Sequence, residues 1–128
     1  AKEEITVLCA ATDEILSLTE AAFLGNDIAL AYDVEPLEEV VDDLKMILRN
    51  NHIVRLQDGS CTVETGFVWS DLLTDLERVS DHCSNIAVAL IEVDLDAMDT
   101  HAYLNDLKEH KSKEFIRYYD EYKVKYAL

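Results

Sequence analysis

The sequence predicts an all-α protein: an up-down-up three-helix bundle with an additional C-terminal helix. Three observations carry that expectation. Apolar residues recur at alternating three- and four-residue steps over long stretches. Only 3 Gly and 1 Pro interrupt the 128 residues. No run shows the period-two alternation of a half-buried strand. Hydrophobic residues make up 49% of the chain, enough for a core in one domain of this length.

The first helix is expected over the first 24 residues, where Leu8, Ala11, Ile15, Leu18 and Ala22 form one stripe. Leu24-Gly25-Asn26-Asp27 then reads as a stop and restart, with Gly25 near the C-terminus and Asn26 as N-cap of the next helix. That second helix runs to about Gln57 on Leu30, Val34, Leu37, Val41, Leu44 and Leu48. Pro36 inside it predicts a kink, or a break with restart. Asp58-Gly59-Ser60-Cys61-Thr62 reads as a loop whose Thr62 caps a third helix, with Glu64 at its positive end.

The third helix has the strictest pattern, an unbroken 4-3 repeat of Leu72, Leu76, Val79, Cys83, Ile86, Leu90 and Val93. The pattern lapses around Asp94–Thr100. A short helix is expected from about Thr100, and Ser112 then caps a last one with Phe115, Tyr119, Tyr122 and Tyr126 on one side. The domain reading is a bundle over 1–95 and a helical extension over 96–128. The start Ala-Lys-Glu-Glu lacks Met and is already in helical rhythm, so the chain is expected to be a fragment of a larger protein.

Charge excludes some functions. The chain has 27 Asp+Glu against 11 Lys+Arg, a formal net of −16. Such a field repels nucleic acid and anionic membrane surfaces and concentrates cations. The acid is concentrated in residues 1–107, whereas residues 108–128 carry 6 Lys/Arg and 4 Asp/Glu, a net of +2. That basic tail either lies back on the acidic bundle or stands as a solvated amphipathic helix. Cys9, Cys61 and Cys83 are odd in number and lack a CxxC pair, a reducing-compartment profile in which two of them read as small buried hydrophobes. Neither a signal peptide nor a run of about 18 apolar residues occurs, so no membrane span is expected in this chain.

In LERVSDHCSNIA, residues 76–87, Glu77, Asp81 and Asn85 recur every fourth residue. Taking Leu72 as zero, they fall at about 140°, 180° and 220° around the helix, away from the 4-3 stripe. Side chains at i and i+4 sit about 6 Å apart at Cβ, close enough for two carboxylates to share a cation. Helix two offers a matching row in Glu38 and Asp42, crowded by Glu35, Glu39 and Asp43. On adjacent antiparallel helices the two rows can converge on one metal site, although such pairs are in general solvated faces. Arg78 reads as a partner for Asp75, Asp81 or phosphate. His82, at about 280° beside the stripe, reads as a packed histidine.

The 76–87 stretch resembles the signature of the PhoU family, with Glu77, Arg78, Asp81, His82, Asn85, Ile86 and Ala87 matching it. LEEVVDDL, residues 37–44, resembles that family's other acidic helix, and the likeness covers residues 1–93. More narrowly, VEPLEEVVDDLK, WSDLLTDLERVSDHCSNIA and EYKVKYAL resemble the C-terminal region of bacterial sodium/phosphate cotransporter II-related proteins. The resemblance implies a cytoplasmic PhoU-like regulatory module of phosphate transport, attached to a transporter membrane domain. It also implies metal binding (iron, zinc, magnesium or a similar divalent or trivalent ion) through Glu38, Asp42, Glu77 and Asp81, with Asn85 as a further ligand. PhoU itself has two tandem three-helix repeats and this chain has length for one, so a homodimer is the expected substitute.

Two rival readings follow from the same residues. A di-iron bundle needs Glu-x-x-His pairs, which the helices lack, and no GxSxG, P-loop, HExxH or Cys-His arrangement occurs, so an enzyme is not expected. A purely structural or protein-interaction bundle would carry the acid rows only for solubility and would bind no specific metal.

Overall fold

The computed structural model describes residues 1–97 and 101–128, with side chains described for 1–95 and 113–128. Four helices form in it: α1 Lys2–Gly25, α2 Ile28–Gln57, α3 Val63–Ala97 and α4 His101–Lys125. No strand occurs among the described residues. Glu4 of α1 meets Asn51 and Arg55 near the far end of α2, so α1 and α2 are antiparallel. Lys45 of α2 meets Glu77 of α3, and the Leu48 carbonyl meets Trp69, so α3 reverses again. The up-down-up bundle is therefore present, and α4 packs along α2.

Local chemistry sets the boundaries. Asn26, not Gly25, takes the left-handed position after α1, with φ 47° and ψ 42°. Asn tolerates that region better than other non-glycine residues. The Asp27 N–H then reaches back to the Ala22 carbonyl at 2.9 Å, closing the helix end. The N-cap of α2 is Asp27, whose Oδ1 accepts from the Leu30 N–H at 3.2 Å. The expectation of Asn26 as N-cap is thus corrected by one residue, because Asn26 is spent on ending α1.

Pro36 does not break α2, which runs unbroken through 30 residues. Its missing N–H forfeits one helical hydrogen bond, but the ring is fully buried and packs in the core. Thr62 caps α3 as expected, its Oγ1 accepting from the Thr65 N–H at 3.2 Å. The break expected at Ser112 does not occur, since α4 continues through it. The lapse expected around Asp94–Thr100 lies partly outside the described residues.

Leu8, Ile15, Val34, Leu37, Val41 and Leu48 are fully buried at the centre of the bundle. Burial of each stabilises the fold by about 1.5–3 kcal/mol relative to exposure. Thr12 and Thr19 are buried too, and their hydroxyls donate to the Leu8 and Ile15 carbonyls at 2.9 and 2.7 Å. No polar group is stranded by placing them there.

Helix α3 departs most from expectation. Its buried residues are Leu73, Ser80, Cys83, Ser84, Ala87 and Ile91. Leu72, Ile86 and Val93, all in the 4-3 repeat, are 40%, 43% and 70% exposed. The helix is therefore turned by about one residue, or 100°, from the centre of its apolar pattern. The other four residues of the buried face, Ser80, Cys83, Ser84 and Ala87, are small, which leaves room for neighbouring helices to pack close against it. The same turn carries His82 to an exposed position, correcting its reading as a packed histidine. Cys83 is buried, whereas Cys9 is exposed and Cys61 half-buried in the loop, so one cysteine rather than two is a core residue.

Candidate cation site on the acidic face

Antiparallel packing of α2 and α3 turns two local spacings into one surface. Glu38 and Asp42 stand one turn apart on α2, facing α3. Glu38 is pushed up to about 7, by burial first and then by the charges of Asp42, Glu39, Asp81 and Glu35. Asp42 is also raised, by burial first and then by Glu77, with Asp81 and Asp43 adding and Lys45 opposing. Each row thus feels the other across the helix interface. Four carboxylates, Glu38, Asp42, Glu77 and Asp81, share one face, and Asn85 lies exposed one turn beyond Asp81.

Lys45 was not anticipated from the sequence, although it is one turn past Asp42 on the same face of α2. Its Nζ lies 2.8 Å from Glu77 Oε2, with the two side chains 27% and 21% exposed. Asp42, Lys45, Met46, Arg49 and Glu77 line a recess of about 300 Å³. In this arrangement an internal ammonium neutralises one end of the acidic face. Arg78, read earlier as a partner for acid or phosphate, is exposed on α3.

The donor set fits a hard cation in kind: carboxylate oxygens, two of whose pKa values are raised by burial first and by their crowded acidic neighbours second. Among the described residues, however, no three Asp, Glu, His or Cys side chains are already gathered closely enough to hold a metal ion. A bound ion would have to draw the two rows together and take Glu77 from Lys45.

Two further polar clusters hold elements in place. At one end of the bundle, Asn51 Nδ2 donates to Glu4 Oε1 at 2.7 Å and Arg55 Nη1 lies 3.0 Å from Glu4 Oε2. Burial opposes ionisation of Glu4, but these partners outweigh it and hold the carboxyl below its usual range. The Arg55 guanidinium also sits over the Trp69 ring, 5.6 Å from its centroid. On the opposite side, Tyr119 donates to Asp43, and Tyr126 and Lys125 both reach Glu14. The basic tail therefore does lie back on the acidic bundle.

The family model described as the PhoU domain matches residues 5–90. The phosphate-specific transport system accessory protein PhoU homolog 1 of Thermotoga maritima is 25% identical over 92 residues, 72% of this chain and 40% of the relative. The chain thus spans about two fifths of that curated relative's length. No solved structure matches the chain.

Proposed function

The chain belongs to the PhoU domain family, and from that premise we propose that it is a non-catalytic regulatory module of phosphate transport whose acidic face takes up a divalent or trivalent cation. The name of its Thermotoga relative, a phosphate transport accessory protein, supports the transport setting. The observation that carries the cation reading is the meeting of Glu38 and Asp42 on α2 with Glu77 and Asp81 on α3. The cytoplasmic side of a sodium/phosphate transporter is the setting its acidic helices resemble. No helix among the described residues is long and apolar enough to cross a membrane.

A cation such as iron, zinc or magnesium would supply positive charge to these four carboxylates. Glu77 would exchange Lys45 for the ion, and Glu38 would have to release its proton. Uptake should therefore weaken as pH falls below about 7, where Glu38 becomes protonated. Asn85 would join as a neutral ligand only if drawn in from its exposed position.

The test is titration calorimetry and thermal unfolding of chelator-treated protein with each metal salt in turn. At a free metal concentration about 100 times Kd, the parent should gain about 2.7 kcal/mol. The Glu77→Gln/Asp81→Asn variant should bind weakly and gain little. Equal stabilisation of parent and variant would instead favour the interaction-bundle reading, which the Lys45–Glu77 pair also fits. Phosphate uptake by cells expressing the full-length protein with the same two substitutions tests the transport role, and unchanged uptake and regulation would count against it.

A further inference from the structure

Helix α4 lies outside the stretch that matches the PhoU domain, residues 5–90, and a different chemistry fastens it to the bundle. Phe115, Tyr119, Tyr122 and Tyr126 recur at four- and three-residue steps and share one face. Tyr126 is buried there and the other three are half-buried, while Ile116 and Val124 are 59% and 78% exposed. Among its described residues, α4 thus gives the core rings and no aliphatic side chain. The tips of those rings are polar. Tyr118 bonds Asp33, Tyr119 donates to Asp43, and Tyr126 and Lys125 reach Glu14. One such hydrogen bond shifts a docking equilibrium by roughly fivefold, whereas burying a leucine shifts it by more than about tenfold. Packing beneath the helix is loose as well. Val40, Leu44 and Ile47 of α2 and Tyr119, Lys123 and Tyr126 line an open space of about 630 Å³. That space forfeits dispersion contacts which close-packed helices make.

The surface under α4 is suited to a helix. Asp33, Val40, Asp43, Leu44 and Ile47 fall within about 100° of one another on α2, an apolar line flanked by carboxylates. Val40 and Leu44 are each 3% exposed with α4 in place. The covering helix itself states what fits: an amphipathic helix whose aromatic hydroxyls and ammonium groups meet Asp33, Asp43 and Glu14. The acid of the bundle favours a basic helix for the same reason. We propose that α4 is a detachable autoinhibitory strap, which undocks as a unit from an intact α1–α3 bundle. Its release uncovers the α2 stripe for a helix of a partner protein bearing phenols and ammonium groups in the α4 pattern. Elements that move in regulation are drawn from the weakly held parts of a fold. Strap and partner compete for one stripe, so the partner's apparent affinity is reduced to the fraction of molecules whose strap is open. This holds whether or not the acidic face binds a cation.

Thiol labelling of the full chain tests it. Val40→Cys places a thiol under the strap, and native Cys83, 3% exposed in the bundle core, reports any opening of the bundle itself. Mass spectrometry after digestion separates these sites from Cys9 and Cys61. Position 40 should react at least about tenfold faster than Cys83. Adding Tyr119→Phe and Tyr126→Phe should speed position 40 about tenfold more and leave Cys83 slow. An excess of a helix-stapled peptide of residues 113–128 should then slow labelling of position 40 by about threefold or more. The same peptide carrying Tyr119→Ala and Tyr126→Ala should not. Labelling at position 40 that keeps pace with Cys83, or that ignores the tyrosine substitutions, means that α4 opens only with the bundle and overturns the strap. Failure of the unmodified peptide to slow labelling overturns the partner-helix role.

Discussion

Gly66 shows how a single missing methyl group positions a helix. A Cβ built there would lie 2.7 Å from Nε2 of His52, a buried side chain held between α2 and α3. Alanine is the better helix former by about 1 kcal/mol, yet Gly66→Ala should destabilise the protein by about 1–3 kcal/mol through overpacking. In a His52→Ala background the clash is gone, and the same substitution should turn neutral or stabilising. Urea unfolding of the four proteins of this cycle measures the coupling directly. Glu38 gives a pH-dependent counterpart. Its carboxyl is raised from 4.5 to about 7, so the folded state holds a proton that the unfolded chain has released. Its contribution therefore favours folding below about pH 4.5 and is lost as pH rises through about 7. Glu38→Gln should remove that slope, leaving the variant more stable than the parent at pH 8 and little different at acid pH; urea midpoints at both values decide it.

At the level of elements, the turn of α3 makes a sharp contrast between adjacent leucines. Leu73 is 2% exposed and Leu72 is 40% exposed. Leu73→Ala should cost about 2–4 kcal/mol, whereas Leu72→Ala should cost well under 1 kcal/mol at concentrations where the chain is monomeric. Equal losses would mean that the 4-3 repeat faces the core after all. Helix α4 is held differently, by phenols donating to carboxylates. The hydrogen bond to Asp43, burial and the charges of Asp43 and Glu39 push Tyr119 up to about 12. Tyr126 is raised as well, by burial and by its bond to Glu14. These protonated phenols stabilise the docked helix below pH 10, and their contribution disappears as pH rises through the raised values. Tyrosinate absorbance and helicity followed together should show α4 loosening above about pH 11, before the bundle unfolds. Tyr119→Phe should lower stability near neutrality by about 1 kcal/mol.

The whole molecule carries far more negative charge than its shape requires. With a net of −16 on 128 residues, repulsion opposes both folding and pairing of copies. Raising sodium chloride from about 0.05 M to about 0.5 M should screen this and raise the melting temperature by roughly 3–5 °C, although the Lys45–Glu77 and Lys125–Glu14 pairs lose some of their worth. A fall in melting temperature would show that attractive pairs outweigh repulsion. The distribution of charge also explains the arrangement of faces. Acid gathers where α2 meets α3, the basic tail covers α2 and reaches α1, and the remaining flank is apolar. Three sides of one bundle thus have three different chemistries.

Apolar spacing by itself determined the number of bundle helices, their lengths to within a few residues and the Thr62 cap, because backbone periodicity and capping act over only a few residues. The same local geometry made the two ExxxD rows visible, since i and i+4 are neighbours on any helix. Other features depended on tertiary packing. Asn26 and Asp27 share the turn between α1 and α2 in a way that composition left open. Lys45 faces Glu77 only because α2 and α3 run antiparallel at one register. The tyrosines of α4 find Asp43 and Glu14 across more than 70 residues of sequence. Above all, α3 has apolar residues around more than half its circumference, so its own pattern could not choose which edge to bury. Packing against α1 and α2 made that choice, burying the edge that carries Leu73, Ser80, Ser84 and Ala87 and leaving Leu72, Ile86 and Val93 outside.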